Sequence, residues 1–405
     1  MKLKFFAAIM LVIGLCGSVY VLDAHKKNYA SAQHNITGCQ YQAAQNSKIK
    51  HKLAKLDEMR LASYNTVANK LSCLSDQQIA KLLSDDTTWS SGYGKTATIA
   101  IDGVKVFVKK IPLTDLELEQ KNLRSTANIF NLPLFYQYGV GSAGFGVFRE
   151  LAALIMASNW VLTGACKNFP LLYHWRVVHD DLVPSVVSEN KLDKKAAYWQ
   201  NSSAVRNRIK SMNQATSSVV VFSENFPQTL HSYLMQKVQE GSHQFDAAVK
   251  MADQNLRETA SFMIDHDMLH FDAHDHNIMT DDNRLYFADF GLATSLLFDL
   301  SDEEKAFFAE HKHYDKIYVQ GNLAFAILEA LKFKEQDAID LLNRYTDGDR
   351  TITKSPYITS VLQKYARSAL LIDDFMTNLR KKSKLTPYPA QEVEEILAAV
   401  DKRKK

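Results

Sequence analysis

The stretch H-F-D-A-H-D-H-N at residues 270–277, followed by A-D-F-G at 288–291, carries the strongest structural signal in the chain. The two polar segments bracket L-Y-F at 285–287, a short apolar run typical of a strand. A helix is predicted directly upstream, from Ala247 to His266. Two groups of acidic and amide side chains are therefore expected in loops on either side of one short strand.

The spacing within these loops is specific. Asp272 and Asn277 are five residues apart, and Asp289 comes seventeen residues after Asp272. The pattern resembles the catalytic loop and the metal-binding D-F-G of the protein-kinase-like superfamily. The resemblance implies an ATP-dependent phosphotransferase that moves the γ-phosphoryl group of Mg-ATP to a hydroxyl acceptor. It also implies that Asp289 and Asn277 hold Mg²⁺ and that Asp272 takes the proton of the acceptor.

The residue types suit that chemistry, because carboxylate and amide oxygens are the ligands that Mg²⁺ prefers. His270 is expected to brace the loop through hydrogen bonds. A different interpretation would draw His270, His274 and His276, with the nearby aspartates, as a transition-metal cluster. We do not favour it, since alternating side chains of one loop rarely converge on one ion and the D-F-G would be unexplained.

A β-hairpin is predicted upstream, where Asp102-Gly103 joins T-A-T-I-A-I to V-K-V-F-V-K-K-I. The segment V-F-V-K is similar to the V-A-I-K strand of kinases, which implies that Lys109 grips the α- and β-phosphates. Lys110 should point to the opposite face, because side chains alternate along a strand.

Two glycine-rich segments are candidates for phosphate-binding loops. G-Y-G-K-T-A at 92–97 resembles the G-x-G-x-x-G of kinases with alanine at the last glycine, which makes Gly92 and Gly94 candidate nucleotide-binding residues. The second segment, 139–146, holds four glycines and is interpreted either as another such loop or as an ordinary surface loop.

The sequence predicts a helix over 145–163, and the resemblance to kinases implies that a helix glutamate pairs with the strand lysine. Glu150 is our choice, and Glu117 and Glu119 are the alternatives. Further on, V-V-V-F-S-E-N-F at 219–226 is similar to the fifth strand and hinge of a kinase. The resemblance implies that backbone groups from Glu224 to Phe226 hold the adenine ring.

The expected architecture is α+β, because strand signals precede a long helical region. We predict a helical segment with its linker at 26–87, a β-rich N-lobe with insertions at 88–226 and a larger helical C-lobe at 227–405. The polar stretch 179–217 is interpreted as a surface insertion within the N-lobe. The resemblance to kinases covers roughly residues 88–345.

The N-terminal segment 1–25 is predicted to meet a membrane. Its uncharged run at 5–22 is eighteen residues long, or about 27 Å as a helix at ~1.5 Å per residue, which is enough to cross the hydrocarbon layer. We favour a retained single-pass anchor. The alternative is a cleaved signal, which would make the chain a secreted protein.

The composition excludes some other classes. The chain has 48 basic and 45 acidic residues and a net charge of +3, which does not support nucleic-acid binding. The four cysteines show no C-x-x-C pair and no histidine at metal spacing, so a structural zinc site is not expected. In an oxidising compartment Cys39 and Cys73 would be candidates for a disulfide.

Two functions from different classes remain. The first is the phosphotransferase. The second is a pseudokinase-like scaffold at a membrane, which would bind nucleotide or a partner without turnover. The acceptor is open: His274 resembles the loop of aminoglycoside and choline kinases, and no A-P-E follows the D-F-G, whereas the D-F-G itself is more typical of protein kinases.

Overall fold

The computed structural model describes residues 50–84, 88–90, 94–179 and 187–402. The chain divides into two units after Arg60, and residues 50–60 of the first unit are helical. The second unit, Leu61–Lys405, covers the residue ranges that were predicted for the two lobes. None of the helices in the described ranges has the length and apolarity to span a bilayer. The predicted membrane segment at 5–22 lies outside those ranges, as do Cys39 and Gly92.

One four-stranded antiparallel sheet lies early in the second unit, in the order β1-β2-β4-β3. Its strands are β1 (Lys95–Ile101), β2 (Val104–Leu113), β3 (Leu172–His179) and β4 (Ser217–Glu224). The predicted hairpin is confirmed: Asp102 and Gly103 both have positive φ, at 46° and 82°, as the tight turn that joins β1 and β2 requires. The strand expected within 219–226 is present as part of β4, whereas β3 was not predicted.

The helices around this sheet are partly as predicted. The predicted helix over 145–163 is confirmed as α4. The interpretation of 179–217 as a surface insertion is wrong, because this stretch contributes Trp199 and Arg208 to the buried interior. Its apolar residues are too few to signal a core on their own, and one of its arginines is buried through an ion pair. In chain order before β4, the described helices are α1 (50–72), α2 (Asp76–Ser84), α3 (Asp115–Leu118), α4 (Val147–Leu162), α5 (Glu189–Tyr198) and α6 (Ser203–Gln214).

The remainder of the chain is mainly helical, which completes a mixed α+β fold. The helices are α7 (Leu230–Glu240), α8 (Ser242–Asp265), α9 (Asp302–Glu310), α10 (Tyr314–Ala330), α11 (Glu335–Thr346), α12 (Pro356–Lys381) and α13 (Ala390–Lys402). Before α7 lies the short strand β5 (Gln228–Thr229). Four short strands between α8 and α9 flank the two polar loops: β6 (Met268–Leu269), β7 (Ile278–Thr280), β8 (Leu285–Phe287) and β9 (Thr294–Ser295). Thr229 caps α7 by accepting a hydrogen bond from the Ser232 amide.

Candidate functional site

Lys109 on β2 stands between two carboxylates. Its Nζ lies 2.7 Å from Glu150 Oε1 and 2.8 Å from Asp289 Oδ1. Glu150 lies in the first turn of α4, and Asp289 has a positive φ of 59°, which turns the chain sharply at the start of D-F-G. The predicted pair of Lys109 with Glu150 is therefore present, across a sequence separation of forty-one residues.

The alternative partners of Lys109 are engaged elsewhere. Glu117 is buried, and its carboxylate accepts hydrogen bonds from Thr114 and from the Val147 amide at the start of α4. Glu119 lies 3.2 Å from Lys121 at the surface. The choice of Glu150 over Glu117 and Glu119 is therefore confirmed as far as the lysine contact is concerned.

The loop 270–277 is held by its own side chains. Asn277 Nδ2 donates to the backbone oxygen of Asp272 and to its Oδ2, each at 3.0 Å. His270 Nε2 lies 3.0 Å from the Ala288 oxygen, which ties this loop to the start of D-F-G. Because burial lowers the pKa of His270 to about 4, its imidazole is neutral at physiological pH. The prediction that His270 braces the loop is confirmed.

Asp315 on α10 is a supporting residue that the sequence reasoning missed. Its buried carboxylate accepts from the His270 amide at 2.6 Å and from the Phe271 amide at 3.0 Å. Phe271 has a positive φ of 64°, so these contacts hold the backbone in a conformation that a non-glycine residue rarely adopts. An aspartate in a mainly apolar helix was the signal that could have revealed it.

The glycine-rich segment 139–146 packs directly on both polar loops. A Cβ at Gly139 would lie 2.3 Å from Asp272 Oδ1, and one at Gly144 would lie 2.1 Å from the Gly291 oxygen. Gln137, just before the segment, donates a hydrogen bond to the Leu292 oxygen. The segment is therefore not an ordinary surface loop, because Gly139 and Gly144 permit a close approach to Asp272 and Gly291. Whether it also binds phosphate stays a prediction.

A buried ion pair links the stretch 179–217 to the start of α4. Arg208 on α6 donates through Nη1 to Glu117 Oε2 at 3.0 Å, and the two side chains are 1% and 2% exposed. Through its other oxygen Glu117 accepts from the Val147 amide at 2.9 Å. The ion pair thus supports the helix that carries Glu150. The prediction that 179–217 is a surface insertion could not reveal this role.

Two adjoining cavities meet at Lys109, Glu150 and Asp289. The first, of about 270 Å³, is mostly apolar and is lined by Phe107, Leu154, Pro170, Val221, Glu224, Phe226, Asn277, Met279 and Asp289, among others. The second, of about 340 Å³, is more polar and is lined by Gly94, Ser142, Gly146, Arg208, Asp272, Asp289 and Gly291, among others. An apolar compartment therefore opens beside a polar one at the lysine.

The predicted adenine-binding residues border the apolar cavity. Phe226 lines the cavity and stacks on Tyr286, with ring centroids 4.0 Å apart. The Glu224 amide already donates to the Leu171 oxygen at 2.9 Å. Gly94 lies against Lys109 and Lys110, because a Cβ there would be 2.9 Å from the Lys110 oxygen.

The charges in the cleft give its two aspartates different roles. The Lys109 charge holds the pKa of Asp289 below its usual range. Burial and the nearby charge of Asp289 raise the pKa of Asp272 to about 7. Burial opposes the charged form of Lys109, but Asp289 and Glu150 outweigh it and raise the pKa of that lysine. Asp289 is therefore fixed as an anion, whereas Asp272 can gain or lose a proton near neutral pH.

The oxygen donors in the cleft fit a hard divalent cation. Asp289 Oδ1 is engaged by Lys109 and by the Gly291 amide, and Asn277 Nδ2 is engaged by Asp272. Within the described ranges, Asp289 Oδ2 and Asn277 Oδ1 accept no hydrogen bond, and both residues line the same cavity. One carboxylate oxygen and one amide oxygen are the donor set that Mg²⁺ prefers.

Comparison of the chain with known protein families and with curated protein sequences found no match.

Proposed function

We propose that this protein is an ATP-dependent phosphotransferase with a two-lobed, protein-kinase-like fold, in which the four-stranded sheet belongs to the N-lobe. The single observation that carries the proposal is the position of Lys109, whose Nζ lies within 2.8 Å of both Glu150 and Asp289. These residues come from a strand, a helix and a loop that are far apart in the sequence. Lys109 is held between two carboxylates where the apolar cavity meets the polar one. This position suits a nucleotide whose base occupies the apolar cavity and whose phosphates contact the lysine.

Each residue has a role in this proposal. Lys109 binds the α- and β-phosphates, and Glu150 keeps the lysine directed into the cleft. Asp289 and Asn277 would hold Mg²⁺. When bound, this ion would neutralise the charge that develops on the phosphates. The apolar cavity between Leu154 and Met279 takes the adenine ring.

Asp272 acts on the acceptor. It lines the polar cavity, and Asn277 orients its carboxylate through a 3.0 Å hydrogen bond. As the acceptor hydroxyl attacks the γ-phosphorus, Asp272 accepts the hydroxyl proton and ADP leaves. A pKa of about 7 allows it to hold that proton near neutral pH.

The decisive experiment compares Mg-ATP turnover by the wild type and by Asp289→Ala. The variant should lose about 10²-fold or more in turnover, since a positioned charge contributes several kcal/mol to such a transition state. Asp302→Ala is the matched control, because this aspartate is 97% exposed on α9. Equal rates in the wild type and Asp289→Ala would end the proposal.

The acceptor is a hydroxyl of a protein or of a small molecule. After D-F-G the chain reaches α9 at Asp302, so a long segment for holding a peptide is not evident. A screen of small alcohols, sugars and generic protein substrates with labelled ATP separates the two acceptor classes directly.

One observation favours the second candidate, a pseudokinase-like scaffold that binds nucleotide without turnover. Gly139 lies so close to Asp272 that a Cβ would meet its carboxylate, and this side chain is only 23% exposed. A scaffold of this kind would bind ATP with unchanged affinity in Asp272→Asn and would transfer no phosphate in any screen. Phosphate transfer that is lost in Asp272→Asn would exclude it.

A further inference from the structure

A second polar cluster lies beside the loop 270–277. His231 on α7 points its Nδ1 at Asp275 Oδ2, 3.0 Å away, and His276 points its Nδ1 at Asp275 Oδ1, 3.1 Å away. The two imidazole rings stack with centroids 4.2 Å apart. The ligand atoms of all three residues fall within 4.8 Å of one another, although the residues come from two separate parts of the chain.

This cluster differs from the histidine cluster that the sequence suggested. His270 is engaged by Ala288 and by the Asp272 amide, so it is not available as a ligand. His274 Nδ1 accepts from the His276 amide instead. Side chains of one loop rarely converge on one ion. Here a second element, α7, brings His231 opposite His276.

The scaffold is set before any ligand binds. The His231 amide donates to the Asp275 backbone oxygen at 3.1 Å, which docks the start of α7 on the loop. Asp275 is 14% exposed, and each oxygen of its carboxylate contacts the Nδ1 atom of one of the two histidines. Backbone contacts of this kind lower the cost of ordering a site when a ligand binds.

Charge favours a cation at this place. Glu329 on α10 lies near the cluster, with Oε2 3.8 Å from His231 Nδ1. Within the described part of the chain, the two histidines are the only groups within ion-pair distance of Asp275. Among the described residues, no lysine or arginine lies within ion-pair distance of Asp275 or Glu329, so both carboxylates are available to a cation when the imidazoles are neutral, as metal binding requires.

We infer that His231, Asp275 and His276, with Glu329 as a fourth donor, bind a divalent transition cation such as Zn²⁺. Imidazole nitrogen with carboxylate oxygen is a donor set for Zn²⁺ and its neighbours, whereas Mg²⁺ and Ca²⁺ prefer oxygen alone. Tetrahedral ligands about 2.0–2.1 Å from zinc lie about 3.3 Å apart, and the nitrogen–oxygen distances of 3.0 and 3.1 Å are close to this.

A cation here would join α7 and α10 to the loop that carries Asp272 and Asn277. His276 immediately precedes Asn277 and also lines the apolar cavity. The cation would therefore hold this histidine in one position at the edge of the cavity. The site does not depend on the proposed phosphotransferase activity, because its test measures binding.

The test titrates Zn²⁺ into the full chain after chelator treatment and compares the wild type with His276→Gln. His276 is 59% exposed, so this variant should fold normally. We expect it to lose one tight equivalent of Zn²⁺, with at least about a 100-fold weaker affinity at this site. His243→Gln, which changes an exposed histidine on α8, should bind as the wild type does.

Two further measurements identify the class of the ion. Bound Co²⁺ should show the strong visible absorption of a four- or five-coordinate site in the wild type but not in His231→Gln. Excess Mg²⁺ should not displace Zn²⁺. The inference is overturned if His276→Gln takes up Zn²⁺ with the stoichiometry and affinity of the wild type, or if Mg²⁺ competes on equal terms.

Discussion

Replacing Gly139 with alanine should displace Asp272 and little else. The φ angle of Gly139 lies outside the range of +20° to +160° that L residues rarely adopt, so alanine meets no conformational penalty there. Its Cβ, however, would lie 2.3 Å from Asp272 Oδ1, whereas Cβ atoms in proteins stay at least 3.0 Å from such a neighbour. The carboxylate must therefore retreat by about 0.7 Å or more.

A shift of this size should be visible in catalysis. Since misplacing a reacting group by ~1 Å can lower a rate about 10²-fold, we expect Gly139→Ala to lower kcat for Mg-ATP turnover by about 10- to 100-fold. Nucleotide affinity should change little, because Asp272 lines the polar cavity and not the apolar one. Steady-state kinetics and equilibrium binding of ATP measure the two quantities separately.

Gly141→Ala is the matched control in the same segment. No heavy atom lies within 4 Å of a Cβ there, but φ is +98°, so the substitution strains the backbone. It should lower the free energy of unfolding by about 1 kcal/mol and leave kcat nearly unchanged. A wild-type kcat in Gly139→Ala, or an equal loss of nucleotide affinity, would refute the reasoning.

Three more predictions test the parts of the structure around the cleft. Arg208→Met should lower the free energy of unfolding by about 3 kcal/mol in urea titrations, because it leaves the Glu117 carboxylate buried without its cation. The control is Arg206→Met on the same helix, which breaks only exposed ion pairs and should have almost no effect on the free energy of unfolding. Glu150→Gln should lower turnover about 10²-fold with a smaller change in ATP affinity, and equal losses in both would contradict a positioning role for Glu150. Without metal, Asp272→Asn should gain thermal stability relative to the wild type as the pH rises from 5 to 8. The reason is that the folded state raises the pKa of the Asp272 carboxyl from 3.8 to about 7. Such a carboxyl stabilises the fold fully below pH 3.8 and loses that contribution as the pH rises through about 7. A difference in melting temperature that is constant over this range would show that Asp272 is not the titrating group.

The elements that the sequence predicted well are those with a strong local signal. The Asp102-Gly103 turn and the amphipathic α4 are encoded within a few residues, because a turn type and a helical period are local properties. Asp272, Asn277 and Asp289 were found in the same way, since they belong to two short motifs at a definite spacing.

The residues that were missed act through contacts with distant parts of the chain. Arg208 belongs to a polar stretch and looks solvent-exposed until α6 brings it to Glu117. Gly139 has no left-handed backbone that would favour glycine, and only the close approach of Asp272 explains it. Asp315 is explained only by the two amides of a loop more than forty residues away.

By itself the sequence determined which side chains can do chemistry, because residue type and short-range spacing decide what a carboxylate, amide or lysine can bind. Only the tertiary structure decided which of them meet. Lys109 could have paired with any of three glutamates, and packing of α4 against β2 brought it to Glu150. His231 showed no relation to His276 until α7 docked on the loop. Contacts between residues far apart in the chain depend on how the elements pack, and no local pattern records that.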